Sequence, residues 1–154
     1  MPHSESPATP LFLEDLAVGD VMRSSTWTID AEQIVAFASE FDPQPFHTDP
    51  DAAPETFFRG LVASGWHVAA ITMRLIVEST PLAGGVIGAG ADVQWPSATR
   101  PGDTLHVVSE VIDVRPSRSK PDRGIATVRS ETRTESGEVR QRSTAKLVVF
   151  RRSA

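Results

Sequence analysis

Leu61-Val-Ala-Ser-Gly-Trp-His-Val-Ala-Ala-Ile-Thr-Met-Arg-Leu-Ile-Val77 is the most apolar segment of the chain. Its length and its lack of strict alternation read as a helix buried on most sides, not as a strand. His67 and Arg74 interrupt it, and nowhere does the chain run for about 18 residues without a polar one, so no membrane span is expected. Beyond it the period changes. Ile87, Ala89, Ala91, Val93 and Trp95 alternate with Gly88, Gly90, Asp92 and Gln94, the period of two of a strand. Pro101-Gly-Asp103 marks a turn, and further strands are predicted over 104–114, 124–134 and 139–150, with a turn at Ser136-Gly137. One long helix followed by four strands is an α+β arrangement.

Working back toward the amino terminus, 20–29 is rich in Val, Thr and Trp and reads as a first strand. Asp30 is a good N-cap, and Gln33 completes a capping-box pattern. Ile34, Phe37, Ala38 and Phe41 then follow at helical spacing, so residues 31–41 form an amphipathic helix. Thr48 to Phe58 reads as loop with one helical turn, and Leu11 to Gly19 as a short apolar lead-in.

Between the two helices stands Phe41-Asp42-Pro43-Gln44-Pro45-Phe46-His47. Each proline fixes its own φ and pushes the preceding residue out of the α region, so the helix stops at about Asp42 and a stiff extended loop follows. A carboxylate and an imidazole held in fixed relation are what a general acid/base pair requires. Phe41 and Phe46 supply an apolar lining. Desolvation raises a carboxyl pKa and lowers that of a histidine, so both groups are expected to shift toward neutral pH. A second feature, Ala63-Ser64-Gly65-Trp66-His67, lies near the start of the long helix. Two readings apply to Gly65: close packing of helix on sheet, or a free amide at a helix N-terminus that meets an anion.

Other chemistries lack their residues. With no cysteine there is no disulfide, thiolate metal site or thiol nucleophile. Ser64 is not in a nucleophile elbow, since Trp66 stands where the closing glycine belongs. The four histidines show no metal-ligand spacing, and His67 reads as a core histidine. The 154 residues, 40% of them hydrophobic, suit one domain over 11–152 behind a flexible arm at 1–10 that lacks the marks of a signal peptide. The expected location is the cytoplasm. A net charge of -5 argues against nucleic acid as partner. Basic residues nonetheless gather at Arg115, Arg118, Lys120 and Arg123, either a solvated hairpin or a contact for a phosphate-bearing ligand.

The stretch Phe37-Ala-Ser-Glu-Phe-Asp42-Pro-Gln-Pro-Phe-His47-Thr-Asp-Pro-Asp-Ala-Ala53 resembles the hydratase motif of the MaoC-like dehydratases, the (R)-specific enoyl-CoA hydratase group of the hot-dog fold. It departs from that pattern at Phe41, Gln44 and Phe46, where the family usually has Gly, Asn and an aliphatic residue. The resemblance extends over about residues 12–150 and implies a curled antiparallel sheet wrapped around one long buried helix. It implies reversible addition of water across the C2=C3 bond of an enoyl-CoA, with Asp42 and His47 as the catalytic pair. The Gly65 N–H would meet the thioester oxygen, and Ser64 replaces the family's usual His beside it. Phe41, Gln44, Phe46, Ser64 and Trp66 would contact substrate, with the two phenylalanines narrowing the acyl pocket. Arg118, Lys120 and Arg123 would meet the phosphates of coenzyme A, which is part of the substrate. No metal or other cofactor is implied, and a homodimer or higher even oligomer is. A hot-dog thioesterase and a non-catalytic acyl-CoA binding module are the alternatives.

Overall fold

Asp30 starts the first helix as its sequence position predicts. In the computed structural model, which describes residues 9–153, its carboxylate accepts the Gln33 N–H at 2.8 Å, and α1 runs Ala31–Phe41. The reciprocal half of the capping box does not form. Gln33 instead accepts from the Trp27 indole N–H at 3.0 Å and donates to the Thr28 carbonyl at 3.4 Å. The half-buried indole needs an acceptor, and Gln33 is the one in reach. At the other end Asp42 leaves the helix at φ -152°, one residue before Pro43.

The segment after Pro43 differs from the extended loop expected. Pro45 opens a one-turn helix, α2, over Pro45–Thr48, with Gln44 as its N-cap. Proline is pre-set for the first helical position, where its missing N–H costs nothing. His47 therefore sits on a helical turn, not in a loop. A further 3-10 turn, Ala53–Glu55, follows in the stretch where one turn was predicted.

The long helix α3 begins later than its apolar run. It spans Gly65–Ser79, capped by Ser64, whose Oγ accepts the Trp66 N–H at 3.3 Å. Residues 61–63 lie outside helix and strand, tied by Val62 N–H to the Phe46 carbonyl at 3.0 Å and Ala63 N–H to the Thr99 carbonyl at 2.9 Å. Nor is α3 buried on most sides. Val68, Ile71 and Leu75 face the core, while Trp66, Met73 and Val77 stand exposed on the single chain. Pro81 ends it by keeping Thr80 out of helical geometry.

Five strands, β1 Val21–Thr28, β2 Ile87–Gln94, β3 Thr104–Pro116, β4 Arg123–Thr134 and β5 Val139–Phe150, form one antiparallel sheet in the order β1-β3-β4-β5-β2. Register shifts in all four pairings bend the sheet. It curls around α3, the hot-dog arrangement. Under the helix, alternate residues of β3 and β4 include hydroxyls, each with a partner: Ser109 of β3 with Ser130 of β4 at 2.8 Å, and Thr132 of β4 with Thr72 of α3 at 2.6 Å. A second apolar cluster packs the lead-in residue Leu13 on Ala126, Leu147 and Val149 of β4 and β5. β2 forms where the alternation placed it, but as an edge strand, and Ile87 to Asp92 are exposed on both faces. Of the expected flexible arm, residues 1–8 lie outside the described residues.

Candidate active site

The C-terminus of α1, the single turn of α2 and the N-terminus of α3 meet at one place. Asp42 and His47 come together there, with His47 Nε2 3.3 Å from Asp42 Oδ2. The imidazole is buried, and its other nitrogen, Nδ1, lies 2.7 Å from the Val62 carbonyl oxygen. A carbonyl can only accept, so Nδ1 carries a proton and Nε2 faces the carboxylate. The rest of the geometry holds this orientation. The Gln44 carbonyl accepts the His47 N–H at 2.8 Å and the Thr48 N–H at 3.0 Å, fixing α2. The Phe46 ring lies edge-on to the imidazole at 4.6 Å, and Phe58 backs Phe46 at 5.1 Å.

Asp42 does not shift as expected. Burial pushes its carboxyl up, but hydrogen bonds from the Gln44 amide and the Ser64 hydroxyl, with the charge of His47, outweigh burial and hold it below the usual carboxylate range. The Gln44 Nε2 donates to Asp42 Oδ1 at 2.5 Å. Asp42 is therefore a carboxylate near neutral pH, with one oxygen held by Gln44 and the other turned to His47.

A cavity of about 660 Å³ opens beside the pair, with His47, Gly65, Phe58 and Trp95 in its wall. Gly65 is the first residue of α3, so its N–H has no place in the helix's own ladder. The packing reading of this glycine holds as well: a Cβ there would lie 2.7 Å from the Trp95 ring.

The remaining predicted residues divide. Ser64 is fully buried next to Asp42, and Gln44 contacts Asp42 directly. Phe41 and Phe46 do not line this cavity; Phe41 is exposed and leans on Phe37 at 5.2 Å. Trp66 is exposed, edge-on to Trp95 at 5.1 Å. Arg118, Lys120 and Arg123 lie at the β3–β4 turn, where Pro116 pairs with Gly124. The cavity adjoins the opposite end of those strands, roughly 35 Å away at the rise of an extended chain. Within one chain they do not join the site, and Arg123 is bound to Asp122 at 2.8 Å.

Sequence reasoning placed the 48–58 stretch over part of the site but named none of Phe57, Phe58, Arg59, Thr99 or Arg100 as a site residue, and all five line the cavity. The one local signal was an aromatic pair and an arginine inside an otherwise acidic stretch, Phe57-Phe58-Arg59.

Residues 15–134 match the family described as MaoC like domain. The Bacillus subtilis (strain 168) protein YdeM, itself uncharacterized, is 32% identical over 119 residues, 75% of this chain and 82% of YdeM. Among solved structures, the MaoC-like dehydratase from Rhodospirillum rubrum is 60% identical, with a TM-score of 0.91 over 94% of this chain and 99% of that one. The (R)-hydratase from A. caviae involved in PHA biosynthesis is 27% identical, with a TM-score of 0.72 over 87% of this chain and 97% of that one. Sequence match and fold agree: the chain belongs to the MaoC-like domain family, a family of hydratases and dehydratases with the hot-dog fold.

Proposed function

We propose that this chain is a hydro-lyase that adds water reversibly across the C2=C3 bond of a trans-2-enoyl thioester of coenzyme A. The observation that carries the reading is the Asp42–His47 pair, 3.3 Å apart, beside a cavity whose wall also holds the first amide of α3. Asp42, held as a carboxylate, takes a proton from a water that touches both it and His47. The hydroxide so formed attacks C3, and the π electrons move onto the thioester oxygen as an enolate. The Gly65 N–H meets that developing charge, a contribution of order 3 kcal/mol for one well-placed donor. A proton on His47 Nε2, the nitrogen not committed to Val62, passes to C2. Transfer of the Asp42 proton to Nε2 across their contact then resets the pair. The atoms of one water are all accounted for, and the reaction as written uses no metal or redox group.

Ser64 and Gln44 act by holding Asp42, while Phe46 holds the imidazole. Trp66 and Phe41 stand near the site on exposed surface and would meet substrate only at its mouth. A homodimer, or a higher even oligomer, fits the uncovered β2 edge and the exposed Met73 and Val77 of α3. Contact of Arg118, Lys120 or Arg123 with coenzyme A would then come from a second subunit.

The test follows two signals on crotonyl-CoA at once: enone absorbance and free thiol. Hydration removes the enone and releases no thiol. Thiol release would make the chain a thioesterase, and binding with neither signal would make it a non-catalytic acyl-CoA module.

A further inference from the structure

The cavity beside His47 has an unusual charge balance for a chain of net charge -5. Three arginines, Arg59, Arg100 and Arg140, line it, and no carboxylate does among the described residues. Arg140 is neutralised by Asp103 at 3.2 Å and Glu138 at 3.1 Å. The other two make no ion pair among the described residues. Arg100 donates through Nη2 to the Phe58 carbonyl at 2.8 Å, which satisfies one N–H and leaves the charge uncompensated. Its guanidinium lies against the backbone of Gly60, where a Cβ would come within 3.1 Å of Nη1. The two cations are thus carried on adjoining segments of the same wall.

A further observation points at a ligand. Arg59 has φ 57°, and it is the one described non-glycine residue in the left-handed region. Arginine is rarely found there, and such strain gathers at functional sites. A glycine stands next door at 60, so the chain places an arginine where the backbone would prefer its neighbour. Uncompensated arginines on adjoining segments of one wall suit an oxyanion with several acceptor oxygens.

We infer that Arg59 and Arg100 form a phosphate subsite for the pantetheine-linked carrier of the substrate. This assignment rests on the thioester reading above and locates the carrier within the same chain as the acid/base pair. It also gives the carrier a direction. The phosphates lie toward the 56–60 and 95–100 loops, and the thioester points inward to Gly65 and His47.

The test uses thioethers, which can be neither hydrated nor hydrolysed, so binding is read without turnover. Affinities of S-butyl-coenzyme A, S-butyl-4′-phosphopantetheine and S-butyl-pantetheine are measured by calorimetry on wild type, Arg59→Gly and Arg100→Gln. Glycine accepts the left-handed backbone without strain and removes the whole side chain with its guanidinium, while glutamine keeps a donor for the Phe58 carbonyl. The expected result is a roughly ten-fold weaker Kd for the coenzyme A ligand in each variant, the scale of one charge-assisted contact. S-butyl-pantetheine, which has no phosphate, should bind all three proteins alike. The phosphopantetheine ligand tells which phosphate is held: a loss equal to that of the coenzyme A ligand assigns the one nearest pantetheine, and no loss assigns the nucleotide end. Equal weakening of the phosphate-free ligand, or an unchanged Kd for coenzyme A in both variants, overturns the subsite. Phosphate discrimination in a protein that fails to hydrate crotonyl-CoA would leave the subsite standing and remove the hydratase reading.

Discussion

Asp42 is the residue on which sequence reasoning and structure part. Its spacing from His47 and the two prolines between them made the pair legible, because proline acts locally. The direction of its pKa was not legible, because the donor that matters from afar, Ser64, is brought in only by the fold. Gln44 is the local half of that effect, a side chain that reaches back to Asp42 where the family usual is Asn. Removing it has a signed consequence. A hydrogen bond to the carboxylate favours the charged form, so Gln44→Ala should raise the Asp42 pKa. The acid limb of kcat/KM against pH should then move to higher pH, while the alkaline limb stays. Stability shifts in the same sense: a depressed carboxyl pKa stabilises the fold above the unfolded value near 3.9, and this is lost as pH falls through the folded value. An acid limb that does not move in Gln44→Ala would show that Asp42 is not the base it reports. Phe41 and Phe46 teach the same lesson in reverse. Their position beside the pair suggested pocket lining, yet the rings turn to Phe37 and Phe58.

At the scale of elements, boundaries were readable where one residue imposes them. Asp30 and Pro43 bracket α1, and Gly137, at φ 90°, closes the β4–β5 hairpin. The start of α3 was readable only to within a few residues: the 63–67 stretch lies at it as read, but apolar residues run from 61–63 up to it and only the Ser64 cap marks the exact place. Within α3, His67 is buried, stacked on Phe37 at 4.5 Å, and its Nδ1 has no partner. Burial pushes its pKa below the ordinary 6.5. The unfolded chain then binds the proton more readily than the folded one, so stability is lost as pH falls from about 6.5 toward the folded value. His67→Leu, close in volume, should flatten this part of the curve. Urea denaturation of both proteins between neutral pH and about pH 5 checks it, and an equally steep decline in the variant would assign the loss to other groups.

For the whole molecule, the sheet order was beyond the sequence, and with it the fate of β2. Period-two alternation announced a strand but not that it would lie at an edge with Ile87 to Asp92 uncovered. An exposed edge with apolar side chains invites pairing with another copy. On the proposed dimer, with β2 as its seam, Ile87→Lys should shift the protein toward monomer in analytical ultracentrifugation while leaving the fold intact, because Ile87 is 40% exposed in the single chain. An unchanged sedimentation profile would place any subunit contact elsewhere. The chemistry proposed for the molecule depends on two side chains acting as a unit, and that is open to direct measurement. Crotonyl-CoA turnover by wild type, Asp42→Asn, His47→Ala and the double variant, each shown folded by circular dichroism, should give enone loss without thiol in wild type. Each single variant should be slower by at least about 10²-fold, and the double little worse than the poorer single. Near wild-type hydration in either folded single variant would contradict the mechanism.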